Sequence, residues 1–275
     1  MTAPAIFDRM LIRSRLARRD EAVCRFAGER AAAELNDRLS LIKRTFERVL
    51  IAGPFAPLIA PLLSLDGAVV EGRDLELDDE ALPFADGSLD CILSVLSLQT
   101  VNDLPGALIQ MRRALKPDGL LIAALFAGET LKELRAAWLA AESELHGGAS
   151  LRVAPMIDLR EMGGLLQRAG FALPVMDMDR TEVRYDSGLK LMREIKALGF
   201  SNALADRSRR PVTKALLAKA ALAYGTGARV PATIDVAWVT AWSPHESQQQ
   251  PLKPGSAKAR LADALRAEEI PLERE

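Results

Sequence analysis

The spacing of apolar residues changes character several times along the chain, and each change predicts an element. From Ala22 to Arg48 they recur at intervals of three and four among Arg, Glu and Asp, which predicts an amphipathic helix with Gly28 as a point of interruption. Val49–Ala52 is then a short apolar run of strand length, and GAVVEG offers a second strand around Ala68–Val70. Cys91–Leu96 is apolar on both faces, as a buried parallel strand is. Asp103–Leu115 returns to helical spacing with Ala107, Leu108, Met111 and Leu115 inward, and Lys116-Pro117-Asp118-Gly119 stops it, because proline and glycine forbid continuation. Leu120–Phe126 follows at once as another buried strand. A strand, a helix, a turn and a strand in that order predict a right-handed crossover and therefore a parallel sheet.

Beyond Thr130 helical spacing runs to Leu145, where His146, Gly147 and Gly148 end it. Pro155–Ala169 is a further helix closed by Gly170, and Phe171 opens two strand-like segments, FALPVMDM and TEVRY. Helices are expected again at Ser187–Leu198 and Val212–Tyr224. Ala232–Trp242 alternates and is rich in β-branched and aromatic residues, the pattern of a late antiparallel strand. From Ser243 the chain turns polar, with Gln248 to Gln250 and two further prolines, and a loose tail is expected.

Composition narrows what such an alternating chain can be. With 275 residues and 49% hydrophobic content it can bury a substantial core, which excludes a largely disordered protein. Lys plus Arg, at 36, balances Asp plus Glu, at 37, so no global field attracts nucleic acid or a membrane surface, and neither is expected as a partner. Cys24 and Cys91 make neither a disulfide framework nor a zinc site, which fits a reducing compartment. No apolar run approaches the roughly 20 residues of a membrane span. Arg9, Arg13, Arg15, Arg18 and Arg19 look like an organellar presequence, but Asp8, Asp20 and Glu21 interleave with them, and presequences are poor in acids. A cytoplasmic location is the expectation. His146 and His245 are the only histidines, and an iron centre of two histidines and one carboxylate would need both, so no metal is expected.

The block Leu82–Leu134, LPFADGSLDCILSVLSLQTVNDLPGALIQMRRALKPDGLLIAALFAGETLKEL, is the most informative stretch. It resembles the central motifs of class I S-adenosylmethionine (SAM) dependent methyltransferases: LPF, FD after a few residues, an apolar strand, a helix with an R-x-LKPGG-like end, and another strand. That resemblance implies an α/β, Rossmann-like class I methyltransferase fold. Its mostly parallel sheet of the seven-stranded type would be shortened here, with N-terminal helices and a helical insertion before the last strand. The matching divisions are residues 1–47 as an N-terminal helical cap, 48–243 as the methyltransferase-like domain with the insertion at 187–225, and 244–275 as a polar tail.

A narrower resemblance runs over nearly the whole chain. IFDRMLIRSRLARR, SVLSLQTVNDLPGAL, AGETLKELRAAW, LLQRAGF, VPATIDVAWVTAW and HESQQQPLKPGSA look like the methyltransferase-like assembly factors of respiratory complex I. That family implies a protein partner, a complex I subunit, and modification of an arginine on it by hydroxylation. EVRYDSGLKLMREIKALG is similar to the malonyl-acyl carrier protein methyltransferase of biotin synthesis, a more distant cousin, which implies a carboxyl methyltransferase acting on a small molecule or carrier protein. The HES block favours the assembly-factor branch, and the absent presequence favours a bacterial version of it.

In SAM-binding relatives the first strand ends in a D-x-G-x-G-x-G turn, because the cofactor lies on bare backbone and each glycine removes a Cβ. Ile51, Gly53, Phe55 and Pro57 stand in that register here. An apolar residue replaces the acid, phenylalanine replaces a glycine, and Pro54 deletes a backbone donor. The cofactor contacts expected at this turn are Ala52, Gly53, Pro54 and Phe55. Glu71 or Asp74 is the acid expected on the ribose hydroxyls, although the span between Val70 and Leu82 is short for the usual helix and third strand. Asp78 matches the adenine-facing acid before LPF, with Asp79 beside it, and Ser97, Leu98 and Gln99 match the loop beside the methionine part of the cofactor.

Other residues carry a structural reading beside a functional one. Asp78, Asp79 and Glu80 are either general bases or solvated loop carboxylates. Tyr185 either gates a substrate pocket or packs its ring on an edge strand. Trp238 and Trp242 share one strand face and read as core. Phe7, Met10 and Leu11 with Arg9, Arg13 and Arg15 make a short amphipathic helix, a lid over the pocket or a plain cap. Two functions follow: a SAM-dependent modifying enzyme directed at a protein, or a non-catalytic assembly scaffold that has lost the cofactor. Catalytic residues are left unassigned.

Overall fold

A computed structural model describes residues 5–65, 67–71 and 78–249. Six strands, β1 (Arg48–Ala52), β2 (Val69–Glu71), β3 (Leu89–Val95), β4 (Leu115–Phe126), β5 (Ala172–Tyr185) and β6 (Val230–Trp242), form one sheet in the order β2-β1-β3-β4-β6-β5. The first four are parallel. β6 runs antiparallel to β4, and β5 antiparallel to β6. Among the described residues this is the shortened form of the seven-stranded type, and its late antiparallel strand is the one that the Ala232–Trp242 alternation predicts.

Side chains alternate across the strands, so each strand feeds two cores. Leu50 and Ala52 of β1, Ile92 of β3 and Leu121 of β4 pack with Leu108 and Met111 of α4 (Leu104–Ala114) and Met162 and Leu166 of α6 (Leu159–Arg168). Val49, Ile51, Leu93 and Ile122 belong to the other core, with Cys24 and Leu35 of α2 (Glu21–Ser40) and Ile59 of α3 (Ala56–Ile59). Helices therefore cover both faces of the sheet. Burying one Leu or Met contributes roughly 1.5–3 kcal/mol, and Leu108 and Met111, both at 0% exposure, fix α4 to the sheet between β3 and β4. Cys24 and Cys91 are both free and buried.

A third cluster joins α5 (Lys132–His146), α7 (Gly188–Ala197) and α8 (Lys214–Tyr224) through Leu134, Trp138, Leu191, Leu216 and Tyr224. A fourth ties α1 (Arg9–Leu16) to the segment after α7 through Phe7, Ile12 and Leu204. The inward face of α1 therefore differs from the expected one: Met10 is 81% exposed, and Ile12 takes the buried place.

Three boundaries also differ, each for a local reason. α2 ends at Ser40 rather than Arg48, and it runs straight through Gly28. A Cβ at Gly28 would lie 3.2 Å from the Leu58 Cβ, so this glycine admits α3 against α2 rather than interrupting a helix. Lys116–Gly119 does not separate helix from strand. It is an irregular excursion inside β4, with Leu115 paired to Leu89 and Leu120 to Cys91. FALPVMDM and TEVRY are one strand, the 14-residue β5, whose only break is a register shift between Ala172 and Val175 that contains Pro174.

The described residues up to Pro244 form one compact unit. In the unit that begins at His245, the Ser247 N–H donates to His245 Nδ1 at 3.2 Å. The expected loose tail lies, from residue 250 on, outside the described residues.

Candidate functional site

The strand order reverses direction around β1 and β3, and in open α/β sheets ligands bind beyond the carboxyl ends of the strands at such a point. A cavity of about 940 Å³ lies there, walled by the turns after β1, β3 and β4, by α1, and by α7 with the segment that follows it.

The turn after β1 is built by packing. Gly53 has φ +122°, and a Cβ on it would sit 2.0 Å from the Val95 carbonyl oxygen, so only glycine lets β1 leave the sheet beside β3. Gly53 and Pro54 line the cavity. Phe55, at the N-cap of α3, is fully buried and turns away from it. Its ring meets Phe200 edge-on at 5.8 Å between centroids, and Phe200 meets Phe126 in the same way at 5.6 Å. Phe200 and Phe126 are cavity-wall residues, so the phenylalanine in a glycine place supports the wall from behind without filling the space. Ala52 and Ile51 are fully buried in the sheet, and Pro57 is inside α3.

The turn after β3 is different. Leu96 takes φ +53°, its N–H donates to the Ala124 carbonyl at 2.8 Å, and its own carbonyl accepts from Gln99 Nε2 at 2.7 Å. Ser97 Oγ lies 3.0 Å from Ser94 Oγ and donates to Asp79 Oδ1 at 3.4 Å. Leu98 points into the core beneath. Gln99 Oε1 is buried in the cavity wall with no hydrogen-bond partner. A buried acceptor left unmade costs about 1–3 kcal/mol, and a guest that donates a proton, such as an ammonium, removes that cost.

Asp78 and Asp79 part company. Asp78 does not line the cavity: Arg9 Nη2 reaches its Oδ1 at 3.0 Å and Arg13 Nη2 its Oδ2 at 2.9 Å. Burial pushes its carboxyl up, but the Glu80 N–H and the two arginines outweigh that and hold it below the ordinary carboxylate value. Asp79 does line the cavity, is 6% exposed, and is pushed up to about 6 by burial, against the pull of Arg9. Glu80 does not line the cavity, and its carboxylate accepts the Asn102 N–H. Glu71 closes β2, where its backbone pairs with Leu50, and Asp74 lies outside the described residues.

α1 is strapped across the mouth. Phe7 and Asn102 exchange hydrogen bonds, 2.7 Å from the Phe7 N–H to Asn102 Oδ1 and 3.2 Å from Asn102 Nδ2 back to the Phe7 carbonyl. Arg9 also donates to the Thr100 carbonyl at 3.2 Å, and Arg207 pairs with Asp8 at 3.1 Å. The wall formed by Phe200 and Arg207 has no counterpart in the sequence reading. Its only signal was the Asn in QTVND, which holds α1 in place.

Tyr185 lines the far end of the cavity and donates to Glu194 Oε1 at 3.1 Å; burial, then the Glu194 charge, raise its hydroxyl well above the ordinary value. Trp238 is buried beneath the Arg38 guanidinium at 4.8 Å, and Trp242 lies 5.7 Å under Arg44, away from the cavity. Among the described residues no group of three or more His, Cys, Asp or Glu is arranged to hold a metal ion. No described helix is long and apolar enough to cross a membrane.

A parallel sheet with an antiparallel return, helices on both faces and a cavity at its carboxyl ends defines a class I, SAM-dependent methyltransferase fold. Residues 64–123 match the family described as methyltransferase domain. The chain belongs to the arginine-hydroxylase NDUFAF5 family: it is 34% identical to the human mitochondrial member over 279 residues, 92% of this chain and 81% of that one. The Danio rerio member is 40% identical over 190 residues, 68% of this chain but only 59% of its own length. A malonyl-[acyl-carrier protein] O-methyltransferase of Laribacter hongkongensis is 39% identical over 181 residues, 65% of this chain and 59% of that protein. Among solved structures, the YcgJ protein of Bacillus subtilis is a loose likeness, with a TM-score of 0.45 and 12% identity over 78% of this chain and 99% of its own.

Proposed function

We propose that this chain binds SAM in the cavity and acts on an arginine of a respiratory complex I subunit while the complex is assembled. The observation that carries the reading is the buried, unpartnered Gln99 Oε1 beside Ser97 in the cavity wall, a donor-seeking atom at the carboxyl ends of the strands. The names of the relatives supply the arginine. When bound, SAM supplies an electrophilic methyl group on a sulfonium. The chain's own part is more limited: Gln99 Oε1 would accept from the cofactor's ammonium, Gly53 and Pro54 would help to hold it from the same wall, and Phe126 and Phe200 would exclude water. Asp79, ionised above about pH 6, holds or takes a proton at this end of the cavity. Contact between the Asp78 carboxylate and an adenine would require α1 to release both ion pairs. Free, buried Cys24 and Cys91 fit a reducing compartment, and the relatives carry a mitochondrial name.

The scaffold reading has its own observation: Asp78 and Phe55, two of the expected cofactor contacts, are committed to other parts of the protein. One experiment separates the two. Cells lacking the gene are complemented with the wild type or with Gln99→Leu, and complex I subunits are analysed by peptide mass spectrometry. The enzyme reading expects an arginine that carries a new methyl group, or an oxygen atom drawn from dioxygen with a separate reductant, with the wild type and is bare with Gln99→Leu. Complete complex I with bare arginines in both strains supports the scaffold and overturns the enzyme.

A further inference from the structure

The cavity is far more basic than the chain. The whole sequence has a formal net charge of −1, yet the described cavity wall carries eight cationic side chains against two carboxylates, Asp79 and Glu194. Arg9, Arg13, Arg152 and Arg207 are neutralised within the fold by Asp78, Glu142 and Asp8. Lys196, Arg209 and Arg210 are not: all three are exposed at the cavity and have no ion pair among the described residues. Lys196 sits in the last turn of α7, where a cation suits the helix dipole. Arg209 adds only a through-space attraction to Asp8, which Arg207 already pairs, and Arg210 has no such duty.

The cations also crowd one another. Arg15, in the same wall, donates to the Ser201 and Asn202 carbonyls, and burial followed by repulsion from Arg207 and Arg18 pushes its guanidinium below its ordinary value. Like charges gathered around a concave, low-dielectric site repel each other in the empty protein and raise the local concentration of anions.

We infer that the outer half of the cavity, with Lys196, Arg209 and Arg210 at its rim, docks an acidic polypeptide segment. A bare guanidinium approaching this rim meets like charge. The inference rests on the reading that a protein side chain enters the cavity, and it adds that a target arginine reaches the interior only when Asp or Glu residues flank it. Nucleic acid is the other polyanion, but it relies on a broad basic face, and this protein has a sequence pI of about 6.2, while the cavity that gathers these cations is also lined by Leu217, Met192 and Ile195.

The test is fluorescence anisotropy with the full chain and three labelled peptides, each with a central arginine flanked by glutamates, alanines or lysines, plus a single-stranded DNA of equal charge to the first. The glutamate peptide is expected to bind at least tenfold more tightly than the alanine peptide, to weaken as salt is raised, and to lose at least tenfold in R209E/R210E and, independently, in K196E, with circular dichroism unchanged. Equal affinity for the three peptides at low salt, tighter binding of the DNA, or indifference to both charge reversals in folded protein would overturn it. Anisotropy needs neither SAM nor turnover. A chain that fails here yet restores arginine modification in cells defeats the acidic-segment inference alone, and a chain that passes here but leaves arginines bare defeats the enzyme reading alone.

Discussion

After β1, the turn at Gly53–Phe55 directs its groups into the protein: Gly53 clears the Val95 carbonyl, and Phe55 joins Phe200 and Phe126 behind the cavity wall. After β3, the turn at Leu96–Gln99 leaves one buried acceptor without a partner and brings Ser97 to a carboxylate that ionises near pH 6. One side of the cavity has been rebuilt for packing while the other keeps unmet polar capacity. Departure from a glycine pattern in sequence therefore does not by itself fill the cavity. The replacement residue turns the other way, and the unmet polar capacity lies in a loop that the pattern does not include.

The sharpest way to break this comparison is Gly53→Ala. With φ +122° and a new Cβ 2.0 Å from the Val95 oxygen, the substitution is expected to cost more than about 4 kcal/mol, the range reserved for severe steric or backbone damage, or to prevent folding; urea titration measures it. Phe55→Ala follows, at about 3–5 kcal/mol for a buried aromatic. Because Phe55 stands outside the cavity, SAM affinity of the folded variant should be nearly unchanged, and a large loss would show that the first turn holds the ligand after all.

Asp79→Asn has the opposite sign. The folded value of about 6 lies above the ordinary 3.8, so burial favours the protonated form. The wild type is least penalised below pH 4 and loses stability as pH rises from about 4 through 6. About two pH units at 1.36 kcal/mol each give roughly 3 kcal/mol. The variant should therefore match the wild type at pH 4 and exceed it at pH 8 by up to about that amount in denaturant titrations. A difference independent of pH would remove Asp79 as the titrating group. Smallest is Asp78→Asn, which frees Arg9 and Arg13 from a partly exposed carboxylate and should cost only about 1 kcal/mol. Limited proteolysis should still show earlier cleavage within α1; unchanged cleavage would mean that Asp78 does not hold the strap.

Much of the fold was legible because the central strands are continuous apolar runs. Val49–Ala52, Cys91–Leu96 and Leu120–Phe126 can be buried only between two helical layers, as they are. β5 was not legible as one strand. Its residues alternate between half-buried and exposed with no fully buried position, and Pro174 falls in its bulge, so the sequence carries two weak signals in place of one. At the site, the fate of Asp78 was invisible because its partners Arg9 and Arg13 lie 69 and 65 residues away and belong to a helix whose docking depends on Asn102 and Leu204. The cavity's basic rim was hidden for a related reason. The charges of Arg209 and Arg210 cancel in any whole-chain count and gain meaning only where the chain folds them beside α1.

The most direct measurement is calorimetric titration of the purified chain with SAM, beside Gln99→Leu. Gln99 Oε1 makes no internal bond, but Gln99 Nε2 donates to the Leu96 carbonyl, so circular dichroism is recorded beside the titration and a loss of affinity in the folded variant reports the ligand. Micromolar binding by the wild type, weakened at least tenfold, or about 1.4 kcal/mol, in Gln99→Leu is the predicted result. No heat at millimolar SAM would contradict it and leave the cavity to hold a partner alone, and equal affinity in both proteins would contradict the assignment of Gln99 as the ligand's acceptor.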